Sequence, residues 1–177
     1  MKLNGTHTIG APPERAFELL IDPDVLMRCI HGCENITHKG EEVYDMTISA
    51  GIGPIRGTYT GTVAISDLQP PTCYTMAADI KGPTGFVKGQ GIITLASKDG
   101  EDKENDKEGR GDSSQITFDG DVQIGGPLAA VGQRLHLSIA RLMIRQLFGA
   151  MDAEAQAEEG EEVKHTILGD ILRTVKK

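Results

Sequence analysis

Gly125-Gly126-Pro127-Leu128-Ala129-Ala130-Val131-Gly132-Gln133-Arg134 joins a strand pattern to the longest helical pattern in the chain. Gly125-Gly126 stops the strand, and Pro127 suits the first turn of a helix, where the missing N–H would have no partner anyway. From there to Met151 no proline interrupts a region rich in Leu, Ile, Ala and Met. At about 100° per residue, Arg134, Arg141 and Arg145 fall within roughly 40° of one another. Leu128, Val131, Leu135, Ile139 and Leu142 form one apolar stripe, and Leu137, Ile144, Phe148 and Met151 another on nearly the opposite side. A helix apolar on two sides must be covered on both. One side can pack on a sheet, while the other lines a cavity or meets a partner.

Upstream of this junction the chain alternates. The apolar sets are Tyr44, Met46, Ile48 and Ala50 in 43–50, and Ile55, Tyr59, Val63 and Ile65 in 54–68. They continue with Tyr74, Met76, Ala78 and Ile80 in 72–80, Val87, Ile93 and Leu95 in 86–97, and Ile116, Phe118, Val122 and Ile124 in 114–124. Residues 3–9 supply a first strand. Each strand is apolar on one face and polar on the other, which predicts an antiparallel sheet with one solvated face. Short Gly/Pro turns at 51–54, 69–71 and 81–83 favour a meander. The stretch 98–113 carries no apolar residue and reads as a solvated hairpin loop, with a binding lid as the alternative. Between the first and later strands, Pro12-Pro13-Glu14 opens one short helix and Asp22-Pro23 a second that Gly32 closes.

The expected architecture is therefore α+β. A curved antiparallel sheet of about six or seven strands wraps around a long C-terminal helix, with two short helices after strand 1. Gly57, Gly61, Gly89 and Gly91 inside strands fit a sharply bent sheet. Residues 1–151 form the domain. Residues 152–177 form an acidic linker and a basic amphipathic tail, in which Ile167, Leu168, Ile171, Leu172 and Val175 recur at helical spacing near Lys164, Arg173, Lys176 and Lys177. That tail either lies on an anionic membrane or a partner, or packs on its own domain.

Composition sets bounds on function. A net charge of −8 and 4% aromatics over 177 residues disfavour nucleic acid as a partner. No apolar run is long enough to span a bilayer, and residues 1–9 lack the core of a secretory signal. Cys29, Cys33 and Cys73 do not make a disulfide framework, so a reducing cytoplasm is expected. Cys29-Ile30-His31-Gly32-Cys33 offers metal-ligand types, with His38 as a fourth, but at spacings that converge poorly; a partly buried loop is the plainer reading. None of His7, His31, His38, His136 and His165 sits in a catalytic phrase, so no catalytic residue is assigned. His136, beside Leu135 and Leu137, is either a boundary histidine or a cavity general base.

The ordered set of Met1–Gly5, Ala11–Phe17, Asp22–Leu26, Cys29–Glu34, Gly53–Gly57, Gly85–Gly89 and Gly125–Arg134 resembles the carbon monoxide dehydrogenase G-subunit (CoxG) family. That family falls within the START-like (SRPBCC) superfamily of helix-grip proteins, which includes lipid-transfer and polyketide-cyclase types. The similarity covers roughly residues 1–150, with Gly125, Gly126, Gly132 and Arg134 as motif positions. Two positions depart from the usual wording: His31 stands where a proline is common, and Ala130 where a glutamine is. The resemblance implies an accessory protein of a molybdenum-type carbon monoxide dehydrogenase or hydroxylase, cytoplasmic or peripheral at the inner face of the membrane. It also implies a hydrophobic ligand, a quinone or lipid, held in the sheet–helix cavity, with no resident cofactor or metal beyond a bound quinone. Met46, Tyr59, Tyr74, Met76, Phe118, Leu135, Ile139 and Leu142 are the candidate cavity residues, each of which also has a plain core reading. Met fills irregular space and Tyr offers a hydroxyl to a carbonyl. The alternatives are a polyketide-cyclase-like enzyme, with His136 or a tyrosine as acid–base group, and a general lipid carrier.

Overall fold

The computed structural model describes residues 1–98 and 113–157. Seven strands form one antiparallel sheet: β1 (Lys2–Ile9), β2 (Cys33–Gly40), β3 (Val43–Ile52), β4 (Ile55–Gln69), β5 (Cys73–Gly82), β6 (Gly85–Lys98) and β7 (Ser113–Gly125). The sheet order is β1-β7-β6-β5-β4-β3-β2. From β2 to β7 the chain is a simple meander, and β1 closes it on the β7 side. Consecutive strands β1 and β2 thus sit at opposite edges. The chain between them, α1 (Pro13–Ile21) and α2 (Pro23–Cys29), must cross the whole open face of the sheet.

Local chemistry explains where these helices start. Pro13 and Pro23 occupy first turns, and the Asp22 carboxylate accepts from the Asp24 and Val25 amides at 2.9 and 3.3 Å. Gly32 ends the pair in a left-handed conformation (φ +78°), with its carbonyl accepting from the Ser49 amide at 2.8 Å.

The strand that alternation did not reveal is β2. Its sequence Cys-Glu-Asn-Ile-Thr-His-Lys-Gly has one aliphatic side chain, and as an edge strand it buries little on either face. The long helix also differs from the expectation. Gly126–Val131 is a separate 3-10 turn, and α3 begins only at Gln133 (Gln133–Gln156). Gly132 between them takes φ +99°, which no ordinary helix residue adopts, so the stripe read from Leu128 to Leu142 is not continuous. At its other end α3 runs on through Gln156, past the boundary that composition placed at Met151. Asp152 and Gln156 clasp Gly10, whose amide donates to Asp152 Oδ1 (2.8 Å) and whose carbonyl accepts from Gln156 Nε2 (2.9 Å). The rest of the acidic linker, the basic tail and most of the 98–113 stretch lie outside the described residues.

The packed core gathers at one end of the sheet. Ile9, Phe17, Leu19, Leu20, Ile65, Tyr74, Ile93, Leu95, Ile116, Phe148 and Met151 join β1, α1, the neighbouring ends of β4 to β7 and the second half of α3. A smaller buried group, Tyr59, Leu128, His136 and Ile139, closes the other end, outside that cluster. Between the two lies open space.

Candidate functional site

The space is a cavity of about 360 Å³ on the concave face of the sheet. Inward positions of β3 to β7 form its wall, notably Tyr44, Met46, Val63, Ile65, Tyr74, Met76, Ala78, Val87 and Phe118. Ile144, Leu147 and Phe148 of α3 and Pro23 and Leu26 of α2, with Ile30 just beyond it, close it from the helical side. The register explains its shape. Met76 of β5 lies opposite Gly91 of β6, which lies opposite Gly120 of β7, while Ala78 lies opposite Gly89. Small residues across three adjacent strands leave a bare trough, where larger side chains would meet the helix. The strands at this trough approach so closely that a Cβ on Gly91 would sit 3.0 Å from the Asp119 carbonyl oxygen.

The wall is almost entirely apolar. Gln90, Asp119 and Asp121 border the trough, but strand alternation puts their side chains on the convex face, where Asp121 pairs with the exposed Lys2. Tyr44 donates its hydroxyl proton to Glu42 Oε2 (3.1 Å). Tyr74 packs edge-on against Phe17 (ring centroids 5.6 Å, 88°), and burial holds its phenol above the ordinary range, so it stays protonated. Beside the cavity, His7 stacks on Phe148 (4.5 Å), which also faces Phe118 (6.4 Å); burial lowers the His7 pKa and favours the neutral ring.

Of the eight candidate cavity residues, the structure brings together Met46, Tyr74, Met76 and Phe118. It places the other four elsewhere. Tyr59 is buried and hydrogen-bonds Thr84 Oγ1, and Ile139 is buried beside the Gly53 turn; both belong to the plug at the far end. Leu135 and Leu142 are 42% and 36% exposed on the outer face of α3. The stripe that faces the cavity is the other one, with Ile144 and Phe148. Sequence periodicity yields two stripes and no means of telling which one meets the sheet. The contributions of α2 and of Ile30 were missed because a seven-residue helix shows too little periodicity.

His136 does not reach the cavity. Its Nε2 lies 2.8 Å from the Leu128 carbonyl oxygen, which can only accept, so the ring donates there and pins the 3-10 turn to α3. Of the motif positions, Gly126 takes φ +73° and Gly132 φ +99°, Gly125 is extended against the Phe86 ring, and Arg134 is exposed. Among the described residues, no three His, Cys, Asp or Glu side chains converge as a metal set. Likewise, no described helix is long and apolar enough to cross a membrane.

Cys29 has its own consequence. Burial first, and then the nearby Glu154 carboxylate, push its thiol from about 9 up to about 12, against the opposing pull of Arg28. A thiol that stays protonated when folded but ionises when unfolded favours unfolding at high pH. Its contribution is intact below about pH 9 and is lost as the pH rises towards 12. The free energies of unfolding at pH 8 and pH 11 are expected to differ by roughly 2 kcal/mol more in the wild type than in Cys29→Ala. Equal pH slopes in the two proteins would contradict the assignment.

Comparison with known proteins gives a consistent picture. The family model for the carbon monoxide dehydrogenase G-subunit (CoxG) matches residues 5–156. Among solved structures, a conserved protein from Geobacillus kaustophilus is similar, with 29% identity over 88% of this chain and 95% of the other (TM-score 0.77). A START superfamily protein from Mycobacterium smegmatis shares the fold at 11% identity, covering 88% of this chain and 97% of its own (TM-score 0.64). No curated protein matches this chain in sequence.

Proposed function

The chain belongs to the carbon monoxide dehydrogenase G-subunit (CoxG) family, and from that premise we propose that it is a non-catalytic accessory protein that binds a hydrophobic ligand, a quinone, between sheet and helices. In this role it assists membrane association or electron transfer of a molybdenum-type carbon monoxide dehydrogenase or hydroxylase. Residues 163–177, with their basic amphipathic pattern, serve the membrane or partner contact.

The observation that carries this reading is the cavity: about 360 Å³ of apolar-walled space in the middle of the domain, kept open by glycines where a packed core would place side chains. Water gains little in such a space, and an apolar ligand gains the burial that the wall offers. The polyketide-cyclase alternative loses its histidine, because His136 is committed to the Leu128 carbonyl.

Mass analysis of an organic extract of the purified full chain tests the proposal. Wild-type protein is expected to release a quinone. Ala78→Phe, which puts a ring into the trough, is expected to reduce the yield at least tenfold while the fold, followed by circular dichroism, persists. An extract holding phospholipid or fatty acid instead would favour the general carrier. Equal quinone yields from the two proteins would place the ligand outside the cavity.

A further inference from the structure

Within the cavity reading, on which this step rests, we infer that the ligand enters polar end first. The Tyr74 hydroxyl is its hydrogen-bond anchor at the closed end, and its apolar tail leaves along β5 past Met76.

Tyr74 and Met76 project from the same face of the same strand, one pleat repeat or about 7 Å apart. Tyr74 is 4% exposed and Met76 is 39% exposed. The cavity is therefore sealed at Tyr74, beneath α1, and opens to solvent at Met76, between that end and the Tyr59 plug. Among the described residues the Tyr74 hydroxyl makes no hydrogen bond; the residue is 4% exposed and lines the cavity, and its oxygen opens on that space instead of being sealed in protein. A hydroxyl that bonds nothing in the protein and faces the cavity leaves its donor free for an acceptor on a ligand there. Tyr44, the other tyrosine of the wall, donates its hydroxyl to Glu42 at an exposed position.

The ligand class follows from this inventory. The cavity offers one O–H donor at its closed end and hydrocarbon elsewhere. It suits a molecule with a hydrogen-bond acceptor, such as a ring carbonyl, at the end of an apolar body. At about 360 Å³ the space is near the lower bound for ligand pockets (about 300–1,000 Å³), so a long chain extends out through the opening. The glycine trough along Ala78 and Met76 provides its path.

The test compares two probes of matched shape on delipidated full-length protein. One is 2-methyl-3-decyl-1,4-naphthoquinone; the other is the oxygen-free 2-methyl-3-decylnaphthalene. In equilibrium dialysis, Tyr74→Phe is expected to weaken the quinone about five- to tenfold and to leave the hydrocarbon unchanged. The variant should melt at or above the wild-type temperature, since the lost hydroxyl bonds nothing in the protein. A nitroxide at the end of the decyl chain should be reduced by aqueous ascorbate nearly as fast as the free probe. Unchanged quinone affinity in Tyr74→Phe, or a nitroxide shielded from ascorbate, would overturn the anchor or the orientation while cavity binding stands. Wild-type protein that binds neither probe would overturn the cavity reading itself.

Discussion

Arg28→Ala is expected to lower the free energy of unfolding by about 3 kcal/mol, measured by urea denaturation at pH 7. Arg28 Nε and Nη2 donate to Glu154 Oε1 (2.9 Å) and Oε2 (3.2 Å), a two-pronged pairing that only a guanidinium can make. The Glu154 side chain is 7% exposed and that of Arg28 33%, so the carboxylate depends on the arginine far more than the reverse. Without Arg28, the Glu154 charge stays buried without its guanidinium, which is the expensive way to break an ion pair. Arg28→Lys should recover only part of the loss. Arg28→Ala combined with Glu154→Ala should be more stable than Arg28→Ala alone, because the stranded charge is gone. A loss below about 1 kcal/mol in Arg28→Ala would show that the pair behaves as a surface bridge. Function should follow stability here. Arg28 sits on α2, whose Pro23 and Leu26 close the cavity from above, and Glu154 is in the last turn of α3. The ion pair holds that cover in place.

No local pattern announces this contact, since its partners lie 126 positions apart. Glu154 was legible only as part of an acidic run, and such runs are usually solvated. The strands were more legible. Tyr74, Met76, Ala78 and Ile80 share a face because strand side chains alternate, and that needs no tertiary information. The same alternation placed Val63, Val87 and Val122 on the inner face, so most of the cavity wall was within reach of sequence reasoning. What could not be read was depth. Tyr59 and Tyr74 both point inward, yet one plugs the far end with Thr84 and the other faces open space. Their neighbours across the sheet make the difference: Tyr59 lies opposite Ile48, and its ring fills the space left by Gly82. Gly132 was readable as a break but sat in a run so apolar that helix continuity looked natural. Its φ of +99° shows that the glycine is there for the backbone.

Gly85→Ala is expected to destabilise the domain by about 3–4 kcal/mol and to release the 3-10 turn from the sheet. Gly85 opens β6 at φ +141°, a conformation that L side chains rarely adopt, which alone costs on the order of 1–3 kcal/mol. A Cβ there would also lie well inside contact distance of the Gly125 carbonyl oxygen and 3.1 Å from Leu128 Cβ. Gly125 is the strand partner of Phe86, and a Cβ on Gly126 would in turn lie 2.9 Å from Gly85 Cα. Two backbones therefore meet without intervening side chains, and the meeting is sealed by the Leu128 amide donating to the Thr84 carbonyl at 2.7 Å. Opening it would cost overpacking energy of about 1–3 kcal/mol in addition to the backbone strain. Leu128 is 2% exposed and its carbonyl holds His136, so a displaced turn takes the first turns of α3 with it. Amide hydrogen exchange should then show Leu128 and His136 losing protection in Gly85→Ala, while Tyr74 and Ile93 at the other end of the sheet keep theirs. Uniform loss of protection would mean that the two ends unfold as one unit. Wild-type stability in Gly85→Ala would mean that the Gly85–Gly125 approach is not what docks the turn.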